Sequence, residues 1–183
     1  MTPEFDTKET SEKTTVTMNL AVKIDLKGTP ESISEWFKLV RPAPTGFDFR
    51  VQLGVHLEEV REMFDEICLE GEAQERWAEL NTKLKAMSED LKQAKVAVRN
   101  INPVGLADSL GDQVVTSIGV GTFAGIDMVC TLMAIDTSNY SKFGLDGVPK
   151  FDANGKVTKD LTTFRKPWLD PYVTDVTEVR WKV

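Results

Sequence analysis

Residues 102–141 read NPVGLADSLGDQVVTSIGVGTFAGIDMVCTLMAIDTSNYS, and this stretch decides the fold. No Lys or Arg occurs from Asn100 to Ser141. Val, Ile, Leu and Ala at this density predict buried helix. Asn102-Pro103 supplies a cap and a first-turn proline. Gly125 predicts a break, with a last helix from about Ile126 to Asn139. Gly105, Gly111, Gly119 and Gly121 lower intrinsic helicity, and they let neighbouring helices approach closely. Between Pro103 and Ile135 only Asp108, Asp112 and Asp127 carry charge. Asp108 and Asp112 are four apart, so on a helix they share a face. A buried carboxylate is costly and two at i, i+4 repel each other. A helix that keeps such a pair without adjacent Lys or Arg asks for a cation.

Upstream, HLEEVREM (residues 56–63) gathers Glu58, Glu59 and Glu62. Glu58 and Glu62 share a face at i, i+4, and Glu59 lies at i, i+3 from Glu62. This run alone is common on solvated helices. If its helix packs on the Asp108–Asp112 face, four or five carboxylates converge. Oxygen ligands of that kind suit Mg²⁺, with Mn²⁺ as an alternative, and a larger cluster can hold two metals. The sequence places the run on a helix from about Asp48 to Glu70. A long amphipathic helix follows from about Glu72 to Arg99, with Trp77, Leu80, Leu84, Met87 and Leu91 at helical spacing. Ahead of both, TPESISEWFKLV has a capping Thr29, a first-turn Pro30 and Glu31 at the positive end of the dipole. RPAPTGF (41–47) then breaks the helix. His56, the single histidine, is expected to be an ordinary core or surface residue.

Past Lys142 the chain turns polar. PKFDANGKVTK (149–159) predicts a β-hairpin turning at Asn154-Gly155. LAVKIDL (20–26) reads as a short strand or an extended lead-in. Residues 1–17 are expected to be a disordered leader, with Met18 a candidate start, and residues 174–183 a tail. The expected architecture is therefore all-α: a four- or five-helix bundle over residues 18–173 with a small C-terminal β-hairpin arm. A chain of 183 residues buries a core without disulfides, so Cys68 and Cys130 are expected to be buried free thiols in a reducing cytoplasm. A net charge of −7 argues against a nucleic-acid partner. It does not argue against a small phosphorylated ligand, because a bound cation reverses the local sign. No run approaches the length of a membrane span, and the N-terminus has no apolar signal-peptide core.

QLGVHLEEVREMFDEI, then LADSLGDQVV, then AIDTSNYSKFGLDGVPKFDANGKVTK together resemble the all-α NTP pyrophosphohydrolase superfamily. The similarity is to the MazG-like and phosphoribosyl-ATP-pyrophosphohydrolase-like proteins common in bacteriophages, over roughly residues 32 to 170. The resemblance implies a helical bundle around an acidic Mg²⁺ site and a homodimer or homotetramer, in the host cytoplasm if phage-encoded. Glu58, Glu59 and Glu62 match the Glu-Glu-x-x-Glu hallmark residue by residue. The second hallmark, Glu-x-x-Asp, is matched only in part: Gly105 stands where the family has Glu, while Asp108 matches and Asp112 is acidic one turn on. The segment from Gly71 to Asn100 is longer than in compact members. The implied reaction converts a nucleoside triphosphate to a monophosphate and pyrophosphate. Glu58 or Glu59 would position or deprotonate the water. Glu58, Glu59, Glu62, Asp108 and Asp112 would hold metal, and Asn139 with Lys142 would contact phosphate or sugar. Asp136 is a further candidate from the last helix. Trp36, Phe37 and Trp168 are candidates for stacking on a base, with core or interface packing as the default. Candidate substrates are dGTP or GTP, with dCTP, dUTP or a modified nucleotide as alternatives. A phosphoribosyl-ATP hydrolase proper ranks below these. The rival from another class is a non-catalytic helical interaction protein that docks through its long Glu72–Arg99 helix.

Overall fold

In the computed structural model, residues 28–99, 102–152 and 155–174 are described. They form five α-helices and one 3₁₀ turn: α1 Pro30–Val40, α2 Gly46–Asp65, α3 Glu72–Lys92, α4 Pro103–Phe123, α5 Met128–Tyr140, and the 3₁₀ turn Asp170–Tyr172. The protein is all-α among these residues. The expected lead-in at 20–26, the leader, residues 175–183 and Asn154 lie outside them. No strand forms among the described residues. The expected hairpin arm is reduced to one antiparallel bridge between Phe151 and Val157, closed by Asp152 N–H donating to Lys156 O at 2.9 Å. No described helix is long and apolar enough to cross a membrane.

The helix starts follow the sequence. Thr29 Oγ1 accepts from Ser32 N–H at 3.3 Å, and Asn102 Oδ1 accepts from Gly105 N–H at 2.9 Å. Thr45 and Asp48 form a reciprocal capping box at the start of α2. Hydrogen bonds from Thr45 and then the Arg41 guanidinium hold the Asp48 carboxyl down at about 2. Gly125 ends α4 at φ 73, as its position predicts. The end of α3 is different. The apolar pattern runs on to Val98, but the helix stops at Lys92. Ala94 adopts φ 58, its N–H bonds Leu91 O, and Lys95 N–H bonds Asp90 O. That is a Schellman ending with alanine in the place usual for glycine.

The chain divides into two units, Met1–Trp36 with Gly121–Lys150 and Thr158–Val183, and Phe37–Val120 with Phe151–Val157. In the first unit, Trp36, Tyr140 and Phe143 form the aromatic core. Trp36 stacks on Phe143 at 6.1 Å, and Tyr140 meets Phe143 edge-on at 6.0 Å. The segment at 172–174 pairs with the start of α5, where Asp127 N–H donates to Tyr172 O at 2.8 Å.

In the second unit α2 and α3 form an antiparallel hairpin. Its contacts run in opposite directions along the two helices: Arg50 with Val96, Gly54 with Ser88, Phe64 with Trp77. Gly54 is the buried residue of α2. A Cβ there would lie 2.8 Å from Ser88 O, which is backbone and cannot step aside. Glycine costs helix stability in its own right, so its place here is explained by this close approach. Gly54→Ala is expected to destabilise the protein by about 1–3 kcal/mol, read as a lower denaturant midpoint. An unchanged or higher midpoint would show that the helices are not packed this closely.

The apolar stretch departs from expectation at α4. Gly121 is its one buried residue. Val104, Val114, Val115 and Phe123 are more than half exposed. No Cα in residues 103–120 lies within 8 Å of a Cα in α2 or α3. Composition demands that such a face be covered, but it does not say by which surface. The thiols also depart: Cys68 is free but exposed, and Cys130 is free and half-buried.

Candidate functional site

The acidic run lies two-thirds of the way along α2. Glu58 is half-buried, and Glu59 and Glu62 are exposed. The α2–α3 hairpin brings Lys92 against this run. Lys92 Nζ lies 3.1 Å from Glu58 Oε1 and 2.7 Å from Glu89 Oε1. Burial works against the Lys92 ammonium, but Glu89 and Glu58 outweigh it and hold its pKa above the ordinary value. Glu62 accepts from Arg61 Nη2 at 3.1 Å, while the other arm of Arg61 takes Asp65. Glu59 makes no hydrogen bond or ion pair among the described residues.

Asp108 and Asp112 sit on α4, both exposed. A side-chain bond ties α4 to α2: His56 Nε2 lies 2.5 Å from Gln113 Oε1. His56 is one turn before Glu59, and Gln113 is beside Asp112. The structure therefore links the two acidic helices at neighbouring turns. It does not bring the five carboxylates together, and among the described residues no group of three or more His, Cys, Asp or Glu is close enough to hold a metal ion. The physical reason is spacing: helices this far apart are bridged by a long pair such as His and Gln, not by carboxylates. The donor chemistry on α2 still suits Mg²⁺. That ion is commonly held by one or two carboxylates, with water and substrate phosphates completing its shell.

Asn139 and Lys142 belong to the first unit, both half-buried. Lys142 Nζ donates to Asn139 Oδ1 at 2.6 Å, and the ammonium stands 5.6 Å over the Trp36 ring. The ring, the amide and the cation are thus gathered at the C-terminal end of α5. Trp36 is buried, while Phe37 and Trp168 are exposed.

Asp136 is neither a solvated acid nor part of the acidic run. It is 1% exposed. Its Oδ2 accepts from Ser32 Oγ at 2.7 Å, and it also accepts from the Gly28 N–H. Tyr140 Oη donates to Ser32 O at 3.0 Å and closes the group. Burial raises the Asp136 pKa; Ser32 and Gly28 offset part of that. Burial, with Asp136 and Glu35 nearby, pushes the Tyr140 hydroxyl up to about 12.

Lys92 and Arg41 carry interactions that the sequence does not reveal. Lys92 sits on a face crowded with other Lys and Glu, and only the hairpin distinguishes it. Arg41 follows α1 directly. Its Nε pairs with Asp48 at 2.7 Å, its Nη2 donates to Gly155 O at 2.5 Å, and the guanidinium lies 4.0 Å over the Phe151 ring. It anchors the turn around Gly155 to the start of α2. No family model, curated protein or solved structure matches the chain.

Proposed function

We propose that the protein is a Mg²⁺-dependent pyrophosphohydrolase of nucleoside triphosphates, acting on (d)NTPs with dGTP or GTP as the leading candidates. The observation that carries the reading is the set of carboxylates on α2, with Glu59 exposed and unpaired beside the Glu58–Lys92 pair. Glu58 and Glu62 would hold the ion, with Glu59 left to act on the water; Asp108 and Asp112 on α4 are ligands by the resemblance alone. When bound, Mg²⁺ would neutralise charge on the phosphoryl oxygens and so favour attack of water on the phosphorus. Glu59 has the free charge needed to take the proton from that water. The water oxygen forms a bond to the α-phosphorus, the bond to the bridging oxygen breaks, and pyrophosphate leaves with the electron pair. On the resemblance alone, Lys142 and Asn139 would supply a cation and an amide to phosphate or sugar. The resemblance of HLEEVREM, LADSLGDQVV and the SNYSK segment to the MazG-like enzymes supports the same chemistry.

The test is pyrophosphate release from each canonical NTP and dNTP, with Mg²⁺ and with EDTA. Release that requires the metal supports the reading and ranks the bases. No release from any nucleotide leaves a modified nucleotide or the second reading. That second reading, a helical interaction protein without catalysis, is favoured by the exposed apolar surface of α4.

Metal binding separates the two readings without turnover. Ligands that bind only the folded state raise its melting temperature. Mg²⁺ or Mn²⁺ is expected to do so here, and a flat response would count against the enzyme. Lys92 competes for Glu58, so Lys92→Met is expected to tighten Mn²⁺ binding by up to about fivefold, the range for a partly exposed ion pair. Titration calorimetry reads that change, and weaker binding would remove Glu58 from the ligand set.

A further inference from the structure

Among the described residues, Lys92 is the one base of α3 whose ion pair reaches another helix. Arg76 and Lys83 pair with Glu72 and Glu79, one turn back on α3 itself. Lys92 takes Glu58 of α2 together with Glu89 of its own helix, at 3.1 and 2.7 Å. Its stem is held, because it runs through the space that Gly54 leaves: a Cβ there would lie 2.8 Å from Lys92 Cγ. Glu89 is held as well, since its Oε1 meets Lys92 and its Oε2 accepts from Gln93 Nε2 at 3.2 Å. Glu58 is held on one side only. Its Oε1 meets Lys92, and its Oε2 has no hydrogen bond or ion pair among the described residues. An ammonium has three donors, and these two carboxylates use two of them.

We propose that Lys92 couples the ion to the triphosphate: its ammonium engages Glu58 while no nucleotide is bound, and passes to a phosphate oxygen when the metal nucleotide binds. The proposal rests on the pyrophosphohydrolase reading and adds to it a residue that contacts substrate. An ion taken by Glu58 would share that carboxylate with an ammonium. Two cations on one carboxylate repel each other. The stem packed at Gly54 and the bond to Glu89 keep the ammonium from leaving. An anion between the two cations removes the conflict. Phosphate oxygens complete the shell of Mg²⁺, and they also accept charge-assisted hydrogen bonds from an ammonium.

Lysine suits this exchange. Its ammonium is a compact charge on a flexible stem, with donors that turn freely, so it passes from a carboxylate to a phosphate without moving its root. Glu89 stays with it on either partner, because it stands one turn back on the same helix. The resemblance assigns Lys92 no role, since α3 lies in the Gly71–Asn100 segment that is longer than in compact members. The consequence is cooperative binding. The ion alone is resisted by the ammonium, and the ion with the triphosphate satisfies Glu58 and Lys92 together. Coupling of this kind is reciprocal, so each ligand raises the affinity for the other.

The probes are Mn²⁺ alone, and Mn²⁺ with the α,β-methylene analogue of dGTP or of whichever base the release assay ranks first. Carbon replaces the bridging oxygen in the analogue, so it binds without turnover. Titration calorimetry on the full chain is expected to show two opposite changes in Lys92→Met. Mn²⁺ alone binds more tightly, and the Mn²⁺-loaded analogue binds about 10-fold or more weakly, the scale of one lost hydrogen bond to a charged group. A salt bridge that only fastens α2 to α3 would not split the two affinities in this way. Unchanged analogue affinity in Lys92→Met, or both affinities moving in the same direction, overturns the proposal and leaves the pyrophosphohydrolase reading standing. A wild-type chain that binds neither Mn²⁺ nor the loaded analogue overturns that reading, and the proposal with it. Circular dichroism checks the fold, and Lys92→Gln takes the same two titrations if Lys92→Met does not fold.

Discussion

Glu59→Gln is expected to lower pyrophosphate release by about 100-fold or more, the scale for losing a positioned general base or a charged group at the reacting centre. The substitution keeps the shape of the side chain and removes its charge and its ability to take a proton. Glu59 is exposed and has no partner among the described residues, so folding does not depend on it. The melting temperature should therefore hold, because exposed substitutions outside special features stay within about 0.5 kcal/mol. This combination of lost activity and kept stability separates a chemical role from a structural one. Glu58→Gln is a less clean probe, since it also strips Lys92 of one of its two carboxylates. Full activity in Glu59→Gln would remove the residue from the chemistry.

Asp136→Ala is expected to cost about 2–4 kcal/mol of stability. It removes the buried acceptor of the Gly28 N–H and one of the partners of the Ser32 hydroxyl, which keeps its bonds to Thr29, and it opens a cavity beside Tyr140. In a chain of this size that corresponds to a fall of roughly 5–15 °C in melting temperature. Asp136→Asn keeps an acceptor for Ser32 and should lose much less. The pH dependence has a definite sign. The folded-state pKa of Asp136 lies above its unfolded value, because burial penalises the charge. Its favourable contribution is then fully present below the unfolded pKa and is lost as pH rises through the folded pKa. Wild type should lose more stability than Asp136→Asn as pH rises across that window. Parallel pH profiles for the two proteins would show that the buried carboxyl carries no such linkage.

The caps at Thr29, Thr45 and Asn102 and the break at Gly125 are local chemistry. Each depends on residues within a turn of one another, so each is legible in the sequence, and together they mark the starts of α1, α2, α4 and α5. The Glu58–Glu59–Glu62 run and the Asp108–Asp112 pair are legible for the same reason, since i, i+3 and i, i+4 spacing alone puts side chains on one face. The end of α3 was not legible, because Ala94 takes a backbone conformation that glycine normally marks. The hairpin arm was overread: Phe151 and Val157 pair, but a bridge needs only one pairing and a strand needs several in register.

What lies between helices was decided by tertiary structure alone. No local pattern distinguishes Lys92 from the other bases of α3; the hairpin sets it against Glu58. No local pattern buries Asp136 while leaving Asp108 and Asp112 in solvent, although all three stand in the same apolar stretch. Ser32, 104 residues away in sequence, makes the difference for Asp136 by donating a hydrogen bond. The sequence thus determined which faces exist and what they carry, because helical periodicity is a property of neighbouring residues. Only the tertiary structure decided which faces meet, because burial depends on the partner that the rest of the chain supplies.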